Sequence, residues 1–277
     1  MTFGYLIFVS TNDTVDYTKL AYSLALSIKN TQPDGYNNVA LVTDNKAAVE
    51  VLKSPWVFDK VIEWNKESGW DGRSWMDELT PWDNTVCLDA DMLFTRDYSH
   101  WVDYFVENSE LYVANSAYTY RGEQITSNFY RRSYEGLPNL YSFYTFFKKD
   151  SAMAKEFFTL GRYILKNPTE FKNSFFSTIK PKVVGTDEAF SLSAKILGIE
   201  GEIAYPLEFP KVVHLKGMVQ NWPWPAEKCS DHVGFYFNVN NEVKVGNYRQ
   251  YDILHYVEKD LITDEIISIQ EEMLWQK

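Results

Sequence analysis

The stretch TVCLDADMLF, residues 85–94, sets two carboxylates one residue apart at the end of a run that otherwise reads as core. Val86, Cys87 and Leu88 carry a strand signal, Asp89 and Asp91 interrupt it, and the apolar pattern resumes at Met92. Side chains alternate along an extended chain with a period of two, so residues 89 and 91 point to the same side. Two like charges about 4 Å apart repel by roughly 4 kcal/mol at an effective dielectric near 20, so the pair must share a proton, reach water or hold a cation. A hard divalent ion suits best, because magnesium and manganese prefer carboxylate oxygens and keep positions for water or phosphate. The plainer reading is a solvated turn in which both aspartates merely end a strand.

The surroundings decide between the two readings. Residues 4–10 form a β-rich apolar run that closes in the polar turn STND, residues 10–13. Over residues 17–29, Leu20, Ala21, Leu24, Ala25 and Ile28 then fall at helical intervals. Residues 38–42 read as a second strand, 46–52 as a short helix, 60–63 as a third strand and 85–88 as a fourth. This alternation predicts an α/β fold with a mostly parallel central sheet, helices on both faces, and ligands bound beyond the carboxyl ends of the strands. Asp89 and Asp91 fall at such an end. Downstream the pattern becomes α+β, with strands near 111–114 and 143–148, a helix over 151–167, another after Asp187, and a strand at 212–215. Beyond about residue 225 the chain turns polar and Asn-rich, then ends in a helix over 264–275. No repeat or low-complexity linker marks a second domain. Residues 1–225 are expected as one catalytic domain, with 226–277 a C-terminal helical extension packed on it.

Composition narrows the classes further. A chain of 277 residues is long enough to bury roughly 75% of its unfolded surface. A hydrophobic content of 45% with 23% charged residues is ordinary for a globular protein. The net charge of −11, with no long basic run, speaks against sequence-blind binding to a nucleic-acid backbone. Aromatic residues reach 17%, which serves either core filling or stacking against the rings of a ligand. Cys87 and Cys229 stand far apart without metal-ligand spacing, so neither a disulfide framework nor a zinc site is implied. The N-terminal apolar run is too short to span a membrane and lacks a basic leader, so a cytoplasmic protein is expected.

Taken together, several segments resemble the family 8 retaining glycosyltransferases of the GT-A fold, glycogenin-like in particular. The first is STND followed by Tyr17 and a helix. By resemblance Ser10, Thr11, Asn12, Asp13 and Tyr17 would hold the base and ribose of UDP. The second is CLDADML, whose Asp89 and Asp91, with Ala90 between them, match the metal-binding D-x-D. The third is KVVHLKGMVQNW, in which His214 matches the metal-ligand histidine and Gly217 the diphosphate-contacting glycine, with Trp222 at a matching offset. Gly185-Thr186-Asp187-Glu188 resembles an aspartate-bearing turn beside the donor sugar, and Arg73 falls where the family carries a basic residue near sugar and phosphates. The sequence departs from the pattern at Gln220, where a basic residue is usual, so Lys216 or Arg73 would have to supply that charge. It departs again at Ser142-Phe143-Tyr144, which replaces a small polar element near the sugar.

The resemblance implies a metal-dependent transfer of a hexose or pentose from a nucleotide sugar, a UDP-sugar, to an acceptor hydroxyl with retention. Manganese or magnesium would be held by Asp89, Asp91 and His214, with Asp187, Glu188 and Arg73 at the reacting sugar. The acceptor, whether glycan, protein, small molecule or modified DNA base, is not legible, and a homodimer is compatible. Two other readings remain open at this stage. One is a nucleotide-sugar-binding protein without transfer. The other is a haloacid-dehalogenase-like phosphatase with Asp89 as nucleophile, against which Leu93 stands where that family wants threonine or valine.

Overall fold

The computed structural model describes residues 1–64, 70–125, 136–176, 184–204, 210–215 and 228–276. Four parallel strands, β1 (Phe3–Val9), β2 (Val39–Thr43), β3 (Lys60–Glu63) and β4 (Asn84–Leu88), form one side of the central sheet. After a two-residue strand β5 (Met92–Leu93), the strands β6 (Leu111–Ala114) and β7 (Tyr141–Lys148) complete it in the order β3-β2-β1-β4-β7-β6. β7 runs antiparallel to both β4 and β6, so the six-stranded sheet is mixed but mostly parallel, as expected.

Alternation along these strands splits the interior into two layers. Phe3, Tyr5 and Ile7 of β1, Val39 and Leu41 of β2, and Val86 and Leu88 of β4 join one apolar cluster; the residues between them, Leu6, Ala40, Val42 and Cys87, join another. Strands buried on both faces carry continuous apolar runs, which is what parallel sheets covered by helices require. The first layer is covered by helix α1 (Tyr17–Thr31), which buries Leu20, Ala21, Leu24, Ala25 and Ile28 and is capped by the Asp16 carboxylate accepting from the Lys19 N–H. The helices α2 (Lys46–Glu50), α3 (Met76–Leu79) and α4 (Ser99–Asn108) follow, and α4 adds Val102 and Phe105 to that same layer. The opposite face takes Phe157 and Phe158 of α5 (Ala152–Lys166) and, beyond α6 (Pro168–Phe175), Phe190 of α7 (Thr186–Leu197). Each of these fully buried phenylalanines contributes about 1.5–3 kcal/mol.

The tail does more than append a helix. After α8 (Glu200–Ile203) and strand β8 (Val212–His214), three short strands, β9 (Phe235–Phe237), β10 (Val243–Val245) and β11 (Tyr248–Gln250), form an antiparallel sheet of their own. Strand β12 (Ile253–His255) then inserts between β5, to which it is antiparallel, and β8, to which it is parallel. The last helix, α9 (Asp264–Trp275), locks onto α1: the Tyr22 hydroxyl donates to Glu271 at 2.7 Å and the Ser23 hydroxyl to Gln270 at 2.8 Å. Among the described residues no helix is long and apolar enough to cross a membrane. Neither α4 nor β12, which at three residues is too short for periodicity to register, is read from the sequence.

Candidate metal and donor site

β4 ends at Leu88, and the next residues are fixed from two directions. The Asp89 N–H donates to the Phe143 carbonyl at 3.2 Å, and the Tyr256 N–H donates to the Asp91 carbonyl at 3.0 Å. One aspartate is therefore positioned by β7 and the other by the tail. Both carboxylates are buried, each residue 8% exposed. The register of β12 sets His255 opposite Met92 on one side and His214 on the other. His255 Nε2 consequently lies 3.5 Å from Asp89 Oδ2 and 3.4 Å from Asp91 Oδ1.

Ligand atoms of Asp89, Asp91 and His255 all lie within 4.8 Å of one another, and among the described residues they are the group of three so placed. The sequence expectation set His214 in that third position. The structure brings His255 to both carboxylates, because β12 lies between β5 and β8, and places His214 one strand farther along in the lining of the same cavity. The two imidazoles stack, centroids 4.6 Å apart, with the Phe143 ring 5.0 Å from His255 and 6.0 Å from His214. Two carboxylates and one imidazole, buried and converging, fit a divalent cation that accepts oxygen and nitrogen donors.

Among the described residues two cations, Arg73 and Lys259, reach the aspartates. Arg73, on the 3-10 turn Trp70–Trp75, sets Nη1 at 2.8 Å from Asp89 Oδ1 and donates to the Ser142 hydroxyl at 3.3 Å. The Ser142 N–H in turn donates to Asp187 at 2.8 Å, so Arg73, Ser142 and Asp187 form one chain of contacts. The turn itself is held by Arg162 of α5, which donates to the Ser74 carbonyl and pairs with buried Asp77, both at 2.7 Å. Lys259, four residues past His255, pairs with Asp91 and lies 5.9 Å from the Tyr17 ring centroid. Burial pushes the Asp89 carboxyl above its ordinary value, against the pull of Arg73 and His255. Burial pushes Asp91 upward too, but there His255 and Lys259 win and hold it well below the usual carboxylate range.

These residues open onto a cavity of about 550 Å³, a size that suits a small-molecule ligand. Of the residues singled out from sequence, Ser10, Thr11, Asn12, Tyr17, Arg73, Asp89, Ala90, Asp91, Asp187, Glu188 and His214 line it. Asp13 does not; it is exposed on the loop, outside the lining. Lys216, Gly217, Gln220 and Trp222 lie outside the described residues. Glu188 reaches back to accept from the Gly185 N–H at 3.0 Å, so it caps α7 while facing the cavity. The loop after β1 is tied by Asn12, which accepts from the Thr14 and Val15 amides, and by Asp44, which accepts from the Thr11 amide at 2.8 Å.

Asp44, His255 and Lys259 were not foreseen. A faint signal for His255 exists: KVVH and DILH both place a histidine after two apolar residues, as matching strands ending at one site would.

Comparison with solved structures finds mouse xyloside xylosyltransferase 1 in its apo form, with a TM-score of 0.54 and 13% identity over 92% of this chain and 97% of that one. The two chains share a fold. The glycosyltransferase GlyE of Streptococcus pneumoniae TIGR4, also in apo form, is matched at a TM-score of 0.48 and 10% identity over 75% of this chain. This chain spans 46% of that GlyE chain, less than half its length. No family model and no curated protein matches the sequence.

Proposed function

We propose that this chain is a metal-dependent glycosyltransferase that moves a hexose or pentose from a UDP-sugar to an acceptor hydroxyl, with retention. The observation that carries the reading is the buried Asp89, Asp91 and His255 group, opening onto a cavity at the carboxyl ends of the parallel strands β1 and β4. The fold shared with a protein named for xylosyl transfer supports it.

In this reading Asp89, Asp91 and His255 hold manganese or magnesium, with His214 stacked against the imidazole. An ion held by these three residues would supply positive charge to a departing diphosphate at no proton cost. Arg73 pairs with Asp89 and opposes the effect of burial on its carboxyl, and the Ser142 hydroxyl accepts from the same guanidinium. Ser10, Thr11, Asn12 and Tyr17 border the end of the cavity assigned to base and ribose, while Asp187 and Glu188 border the sugar; Asp13 keeps its assignment to base and ribose from the sequence resemblance alone. Lys216 and Gly217 retain their assignment to the diphosphate from the sequence resemblance.

The test is a panel of nucleotide sugars incubated with MnCl2, scored by thermal shift and by released nucleotide. At least one UDP-sugar is expected to raise the melting temperature and to be turned over. Chelator and Asp91→Ala are each expected to abolish that turnover. Undiminished release by Asp91→Ala, or in excess chelator, refutes the assignment.

A further inference from the structure

Lys259 occupies an unusual place for a lysine in a site that fits a divalent cation. Its ammonium pairs with Asp91 Oδ2, while the other oxygen of that carboxylate faces His255. A positive side chain therefore rests on one of the three groups that fit a metal. Its side chain is 24% exposed, lines the cavity, and lies on the side of the Tyr17 ring.

Charge counting gives this contact a meaning. Asp89 and Asp91 together carry −2, and Arg73 and Lys259 neutralise them. A divalent ion bound to the same carboxylates adds +2 beside them and sets the metal's charge directly against the ammonium. Of the two resident cations, Arg73 is the fixed one, a planar fork engaged with both Asp89 and Ser142. Lys259 ends a flexible four-carbon stem whose other hydrogen bond, to the Tyr256 carbonyl, is long at 3.4 Å. The lysine is the group free to give way, and a diphosphate in the adjoining cavity carries the charge to receive it.

We infer that Lys259 is a tethered counter-ion, holding Asp91 until a divalent metal displaces it and then pairing with the donor's diphosphate, so that it couples metal binding to nucleotide binding. The inference rests on the donor-site reading above. By linkage, manganese must raise UDP affinity by the same factor by which UDP raises manganese affinity.

The experiment is calorimetric titration of the full chain with MnCl2 alone, with UDP alone, and with UDP at saturating MnCl2. It uses wild type, Lys259→Met, Lys259→Gln and Lys259→Arg, each checked for folding by its melting curve. The two uncharged variants are expected to bind manganese alone about 5-fold more tightly than wild type, and UDP at saturating manganese about 10-fold more weakly, so the coupling factor shrinks. Lys259→Arg is expected to stay within about 3-fold of wild type for UDP. If wild type binds both probes and the folded uncharged variants bind manganese no more tightly, or UDP no more weakly, the inference is overturned while the donor-site reading stands. If wild type binds neither probe, both fall together.

Discussion

Replacing His255 by phenylalanine separates the two histidines that sequence and structure propose for one position. Phenylalanine keeps a planar ring between Phe143, 5.0 Å away, and His214, 4.6 Å away, and removes only the nitrogens. Nε2 is the atom that faces both carboxylates, at 3.5 and 3.4 Å. Among the described residues Nδ1 has no hydrogen-bond partner, so its loss leaves none of them newly unsatisfied. Removing a hydrogen-bond partner of a metal ligand typically costs 10–100-fold in metal affinity, so removing the ligand itself sets a floor of about 100-fold. At 1.36 kcal/mol per decade that is about 2.7 kcal/mol. His214→Phe, the same change one strand away, is expected to cost less than about 10-fold, the lower end of what an indirect partner contributes. The assay is manganese titration followed by electron paramagnetic resonance, with UDP present, on His255→Phe, His214→Phe and wild type. A larger loss for His214→Phe refutes the reasoning: it means that β12 yields its place when the ion binds and that the sequence-based assignment holds in the loaded state.

Other expectations concern the scaffold beneath the site. Arg162→Leu leaves Asp77 buried without its cation, the two side chains being 11% and 4% exposed, and is expected to cost about 3–5 kcal/mol in urea unfolding. Because Arg162 holds the turn that carries Arg73, manganese affinity should fall as well; a stability loss under about 1 kcal/mol would show the pair to be dispensable. Burial pushes the Cys87 thiol up to about 12, so at pH 8 only about one molecule in 10⁴ carries the thiolate. Iodoacetamide is expected to leave the Cys87 peptide unlabelled in the native protein and to label it in urea, and rapid native labelling would contradict the burial. The sign for stability follows from the raised value: the contribution is complete below the unfolded thiol's value near 9 and is lost as pH climbs toward 12.

Where an element repeats its period several times, it was legible in the sequence. α1 shows its apolar stripe over four turns, and β1, β2 and β4 show unbroken apolar runs because helices cover both of their faces. Asp89 and Asp91 were legible because two carboxylates at the end of a buried strand need a physical reason to be there. His255 and Lys259 were not. They follow β11 by a few residues, on and just beyond a three-residue strand, and only the insertion of β12 beside β5 carries them to the aspartates. Glu188 shows the reverse case: it was legible as a site residue, but its carboxylate also caps the helix that presents Asp187.

Local chemistry along the chain thus determined the layered α/β architecture, the acidic pair at a strand's carboxyl end and the polar loop after β1, since each depends on neighbours within a few residues. The partners of that acidic pair were decided only by tertiary structure. Which histidine faces the carboxylates depends on strand order, and which cation rests on Asp91 depends on where the tail returns. Pairing between segments more than 160 residues apart leaves no periodic trace in the sequence, because its register is set by packing rather than by the chain's own geometry.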